Sequence, residues 1–175
     1  MSKNKVVALF TVFLTFILII ALKPGDDPVI LIRIASIVAA IMFVGMILYT
    51  RVLWKIAPFN KLHRVIDIGG KWQGNMTLEN GVSYNVYTVI TQYLDEIRIK
   101  IKTDNFLNDS LVCKMSVDAQ GSKLYAVYKS KPNGKVDSKD QIEYGTFIID
   151  CDEDFLEGLF FTSNKLSGRL ELYRK

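Results

Sequence analysis

The sequence is poor in the residues from which most catalytic and metal sites are built. Its 175 residues hold one histidine, His63, and two cysteines, Cys113 and Cys151. His63 stands alone in a basic stretch, so neither a Ser/His/Asp set nor a Cys/His pair can be assembled. The cysteines form no CxxC pair, and one histidine leaves no ligand set for zinc. Gly69-Gly70 is followed by neither GxxxxGK[ST] nor GxGxxG, so there is no phosphate loop. The expectation is a protein without catalytic residues, metal or cofactor. The four prolines fall at 24, 28, 58 and 132, between the patterned segments. Past residue 66 no helical periodicity longer than two turns occurs.

A basic surface is also missing where nucleic acid would need one. The formal charge is +4, yet residues 1–64 carry eight Lys/Arg against two Asp. Residues 65–175 carry fourteen Lys/Arg against sixteen Asp/Glu. The second part is slightly acidic, which argues against DNA or RNA polymers as partners.

What is present begins with two uncharged apolar runs, 6–22 and 34–50, the second extended by Val29 to Arg33 and closed by Arg51. A membrane span needs about 20 mostly apolar residues, and Arg33 can snorkel from a helix end. Between the runs, Lys23-Pro24-Gly25-Asp26-Asp27-Pro28 is turn chemistry. The pattern predicts a two-helix transmembrane hairpin over residues 1–52, with spans at about 6–22 and 29–51. A buried helix pair and a cleaved leader are the alternatives. Against the leader, no small-x-small site precedes Lys23. Lys3 and Lys5 precede the first span, and Arg51, Lys55, Lys61 and Arg64 follow the second. By the positive-inside rule both termini face the cytoplasm. Ala35, Ser36, Ala39 and Ala40 form small-xxx-small pairs on which another helix could pack. Tyr49, Trp54 and Lys55 suit an interfacial belt, and residues 53–66 read as a juxtamembrane linker.

From residue 67 the pattern alternates. Strands are expected at 71–78, 83–91, 95–103, 111–118, 123–130, 141–150, 155–162 and 168–174. Asn80-Gly81 marks a hairpin, Gln120-Gly121 a turn, and 131–140 a flexible polar loop. Eight short antiparallel strands over 67–175 predict an all-β domain, a small eight-stranded up-and-down barrel. A two-sheet sandwich is the second possibility. Gly70-x-Trp72, with Arg169 on the terminal strand, resembles the lipocalin-like barrels.

Seven of the eight tyrosines lie in this domain. Such rings can stack on bases, while arginine and lysine meet phosphates; they are equally at home on any half-buried sheet. The candidate ligand contacts are Trp72, Tyr84, Tyr87, Tyr125, Tyr128, Lys129, Lys165 and Arg169. Arg98 alternates with Ile97, Ile99 and Ile101, so it points outward and serves only a ligand bound on the barrel exterior. Asp150, Asp152, Glu153 and Asp154 read as a solvated acidic turn before a divalent-cation site. The cysteines read as reduced, small apolar residues.

The two-span start, the linker Trp54-Lys55-Ile56-Ala57-Pro58-Phe59-Asn60, the opening strand Gly69-Gly70-Lys71-Trp72-Gln73-Gly74 and the strand-rich domain together resemble the membrane-embedded β-barrel effectors of CBASS antiphage systems. That resemblance implies a cytoplasmic barrel that binds a cyclic dinucleotide as activating ligand. It also implies ligand-driven homo-oligomerisation, disruption of the bacterial inner membrane and death of the infected cell. Its partners would be the messenger, the lipid bilayer and further copies of the chain. The alternatives are a membrane-tethered, lipocalin-like carrier of a lipid or other small molecule, and an assembly protein whose barrel docks another protein. The carrier would need room inside a wall of Ile97, Ile99, Ile101, Met115, Leu124 and Phe160.

Overall fold

The computed structural model describes residues 28–56, 59, 65–119, 121–133 and 142–175, together with 12, 15 and 16. The chain divides into two compact units, Met1–Trp54 and Lys55–Lys175.

In the first unit a helix, α1, runs over Pro28–Arg51. Proline suits a helix start, since the amide it lacks would have no intrahelical acceptor. The stretch Ile32–Arg51 has mean hydropathy 2.2 and is long and apolar enough to cross a membrane. Its serine and threonine hydroxyls are satisfied within the helix. Ser36 Oγ donates to Ile32 O at 2.9 Å and Thr50 Oγ1 to Ile47 O at 3.2 Å, as an apolar surrounding requires. Ala35, Ser36, Ala39 and Ala40 are all exposed. Of the expected hairpin, the described residues show one helix of spanning length. Of the expected first span, only Val12, Thr15 and Phe16 are described, each helical; the rest of 6–22, and linker residues 60–64 with His63, lie outside the described residues.

The second unit is a closed antiparallel barrel in which each strand pairs with the next and the last with the first. Its strands are β1 (Gly70–Leu78), β2 (Ser83–Gln92), β3 (Ile97–Lys102), β4 (Phe106–Asp118), β5 (Gly121–Pro132), β6 (Glu143–Cys151), β7 (Phe155–Thr162) and β8 (Ser167–Arg174). The loop expected at 131–140 begins later, since β5 runs through Pro132, and residues 134–141 are outside the described set. Most strand limits fall within two residues of the sequence pattern. The exception is β4, which starts five residues before the expected 111. Asn108, Asp109 and Ser110 are turn-forming types, yet Asn108 and Asp109 extend the strand because they pair with Ile101 and Lys100.

Alternation fills the barrel. Trp72 and Met76, Val86 and Ile90, Leu124 and Ala126, Phe147 and Ile149, and Leu170 and Leu172 point inward and form one buried cluster. Phe147 stacks on Tyr128 with ring centroids 4.2 Å apart and meets Phe160 at 6.5 Å. An eight-strand barrel is just wide enough for such filling. Of the wall that a carrier would need, Ile99, Ile101, Leu124 and Phe160 are buried in this cluster, and Ile97 and Met115 pack against it. Gly74 lets β1 approach β8, since a Cβ there would collide with the Glu171 carbonyl. Gly81, at φ 87°, closes the first hairpin below the Leu78 N–H to Val82 O bond.

One end of the barrel is closed by the segment leading into β1. Ile68 is fully buried there. Its amide donates to Gln92 Oε1 at 2.8 Å, and Gln92 Nε2 donates to Ile66 O at 2.9 Å. The Trp72 indole donates to Ile68 O at 2.9 Å. Asp67 accepts from Gly69 N and pairs with Lys55 at 2.9 Å.

Candidate functional site

One seam of the closed barrel is thinly paired. β4 pairs with β5 from Phe106 to Asp118, but with β3 only through Lys100↔Asp109, Ile101↔Asn108 and Lys102↔Leu107. β3 begins at Ile97, so β4 soon outruns it. A bulge between Ser110 and Val112 adds Leu111 to β4, and such a bulge kinks the strand that carries it. Ser110 stitches the parting strands: the Ile99 amide donates to its Oγ at 2.8 Å.

Beside this stitch lies a cleft of about 530 Å³ between residues 95–100 and 109–113. That size falls in the range of small-ligand sites. The cleft is lined from both the inward and the outward rows of the strands. Ile97, Ile99 and Cys113 supply an apolar floor from the inward row. Arg98, Lys100 and Asp109 come from the outward row, with Leu111 and Val112 exposed beside them. Arg98 pairs with Glu96 at 2.6 Å, and Lys100 Nζ stands 3.9 Å from Asp109 Oδ1. That second distance is an ion pair without a hydrogen bond. Asp109 Oδ1 is shielded from solvent and has no hydrogen-bond partner among the described residues. Burial pushes the Cys113 thiol up, against the opposing pull of the Ser110 hydroxyl and the Ile99 amide. Behind the seam, Thr88 Oγ1 and Asn108 Oδ1 are likewise buried without partners among the described residues, on the strands flanking β3.

The eight expected contact residues are not gathered in one place. Trp72 and Tyr128 are 1% and 3% exposed and belong to the core, so a ligand reaches them only if the barrel opens. Burial, and secondarily the charge of Glu143, pushes the Tyr128 hydroxyl up to about 12. Tyr84 is half-buried on the inward side of β2, and Tyr87 is exposed on its outer face. Tyr125 and Lys129 lie on the outer face of β5; Lys129 is the register partner of Asp109 and so adjoins the seam. Lys165 sits exposed in the β7–β8 turn at φ 62°, and Arg169 points outward from β8. Arg98 does point outward, into the cleft. Lys100, Asp109 and Ser110 were not singled out by the sequence. The available signal was the run Asn108-Asp109-Ser110-Leu111-Val112, which breaks the alternation where the bulge falls.

Elsewhere Asp152, Glu153 and Asp154 form the exposed β6–β7 turn, and the Glu153 carbonyl accepts from Arg174. Both cysteines are free. Cys151 is buried, and burial with the nearby Asp150 and Asp152 charges pushes its thiol up to about 12.

Residues 64–174 match the family model described as the Cap15 cyclic dinucleotide receptor domain. The chain is 25% identical over 127 residues to CD-NTase-associated protein 15 of Staphylococcus schleiferi, a span covering 71% of this chain and 69% of that protein. A closed eight-stranded barrel that matches this model over nearly its whole length, preceded by an apolar helix, places the chain in the Cap15 family of CBASS effectors, as a cyclic dinucleotide receptor.

Proposed function

We propose that the barrel is the sensor and the helix-bearing unit the output device of one effector. A cyclic dinucleotide seats on the barrel at the β3–β4 seam. Binding drives copies of the chain to assemble in the inner membrane, the bilayer is breached and the infected cell dies. The observation that carries this reading is the opening in a barrel whose interior is otherwise filled by side chains: the ligand is accommodated by the wall, not by the core. The barrel acts as a receptor and makes or breaks no bond in the ligand.

The orientation proposed is the one the basic residues favour, with the barrel and both termini cytoplasmic and two spans in the membrane. Among the eight expected contacts, Lys129 is the best placed to assist, next to Asp109. Tyr87, Tyr125, Lys165 and Arg169 offer rings and cations on the outer wall for contacts between copies or with a ligand that overhangs the cleft. Assembly follows from binding only if the messenger favours the assembled state over the single chain.

The test is reconstitution of the full chain into vesicles of phosphatidylethanolamine and phosphatidylglycerol loaded with a self-quenched dye. A cyclic dinucleotide that binds should release the dye, and cross-linking should show higher species only when it is present. Binding without release or assembly would reduce the protein to a sensor and overturn the output half of the reading.

A further inference from the structure

We infer that the seam reads a guanine base, with Asp109 as the residue that recognises it and with Arg98 and Lys100 facing the phosphates. This inference rests on the receptor reading above and adds which messengers the receptor takes.

An ionised carboxylate only accepts hydrogen bonds, and its two oxygens can take a pair of parallel donors. Asp109 is held ready for such a pair. It lies on the outward row of β4 at the cleft wall, where Oδ1 is shielded from water and unbonded among the described residues. Lys100 stands nearby but, at 3.9 Å, does not occupy the acceptor. A ligand that moves aside the atoms covering that oxygen can bond it without first breaking a hydrogen bond.

The bases differ in what they offer this acceptor. Guanine presents two adjacent donors, N1–H and the N2 amine. Adenine and cytosine place one amine beside a ring-nitrogen acceptor, which a carboxylate repels. Uracil places one N–H between two carbonyls. Only guanine matches both carboxylate oxygens at once. A divalent cation is the other natural partner of a lone carboxylate oxygen, but Lys100 already supplies positive charge at this point, and no metal-binding group of three or more His/Cys/Asp/Glu occurs among the described residues.

The rest of the cleft suits the rest of such a ligand. Arg98 and Lys100 project from one face of β3 two residues apart, roughly 7 Å along the strand. Both side chains are largely solvent-exposed and free to swing onto phosphate oxygens, Arg98 by exchanging Glu96 for phosphate. Leu111 and Val112 present exposed apolar surface to the face of a base. These cations contribute to any cyclic dinucleotide; Asp109 alone distinguishes the bases.

The experiment is titration calorimetry on the detergent-solubilised full chain with cyclic di-GMP, cyclic di-IMP and cyclic di-AMP, for wild type and Asp109→Asn. Inosine lacks the N2 amine and so removes one donor of the pair. The expected order is guanine above inosine above adenine, with roughly ten- to hundredfold between the extremes, as for one bidentate base contact. In Asp109→Asn the preference should collapse to about threefold or less, through weaker cyclic di-GMP binding and unchanged or tighter cyclic di-AMP binding, since an amide can donate to the adenine ring nitrogen as well as accept from its amine. Arg98→Ala should weaken all three ligands together. Unchanged melting temperatures of the variants show that the barrel is intact. Equal affinity for cyclic di-GMP and cyclic di-AMP, or a preference that survives Asp109→Asn, overturns the assignment and leaves the receptor reading standing. Failure to bind any of the three, with the same result for cyclic GMP-AMP and cyclic UMP-AMP, overturns both.

Discussion

Arg174 lies over the indole of Trp72, its Cζ 4.8 Å from the ring centroid, from the position directly opposite across β1 and β8. Arginine on a tryptophan face is favourable for both partners. The same guanidinium donates to three carbonyls: Asp67 O at 2.7 Å, Glu153 O at 2.8 Å and Gly69 O at 3.3 Å. It thus ties the end of the chain to the segment that enters the barrel. The terminal-strand arginine that serves Trp72 is this one and not Arg169, for a reason of parity. Gly168, Leu170 and Leu172 point inward, so Arg169 points out.

The two arginines should therefore differ when removed. Arg174→Ala should lower stability by about 1–2 kcal/mol, as loss of charge-assisted hydrogen bonds does. Arg169→Ala should stay within about 0.5 kcal/mol of wild type, as surface changes usually do. Denaturant titrations of both variants compare them directly; equal effects would contradict the parity argument.

Gln92 is buried and uses both ends of its amide, on the Ile68 N–H and the Ile66 C=O. Gln92→Leu keeps the volume but leaves two shielded backbone groups without partners. The expected loss is about 2–4 kcal/mol, from roughly 1–3 kcal/mol for each orphaned group. Gln92→Glu restores the acceptor alone and should fall between. Chemical denaturation ranks the three proteins.

Cys113 lines the cleft and is half-buried, whereas Cys151 is 4% exposed. A small alkylating reagent should modify Cys113 first, and slowly, because burial keeps its thiol protonated. A bound messenger in the seam should slow that modification further, at least severalfold. Mass spectrometry after timed alkylation reads the rate at each cysteine, and an unchanged Cys113 rate under saturating ligand would place the messenger elsewhere.

Alkali should weaken the fold through Cys151 and Tyr128. Both are held protonated in the barrel up to about 12, from ordinary values of 9.0 and 10.0. The unfolded chain loses those protons first. Their stabilisation is whole below the unfolded values and is lost as pH rises from about 9 towards 12. The double variant Cys151→Ala, Tyr128→Phe should show a flatter fall in melting temperature over that window than wild type.

Much of this architecture is written locally. The uncharged run up to Thr50 fixes a helix of spanning length, because an apolar stretch without charges has few other stable forms. Alternation such as Ile97-Arg98-Ile99-Lys100-Ile101 assigns an inside and an outside before any partner is known, since side chains on a strand change face at every residue. Eight such segments with short turns close most simply into a consecutive barrel. The seam was not local information. It exists because β4 is longer than the β3 it must meet, and strand lengths become mismatched only when two distant segments are placed in register. The same holds for the binding residues. Tyrosines are visible as types, but whether Tyr128 is core and Tyr125 surface depends on register. Asp109 looked like a turn residue until Lys100 lay opposite it. The sequence by itself determined a membrane-length helix and a barrel; which carboxylate was left with an unbonded oxygen beside an opening was decided by the closing of the sheet.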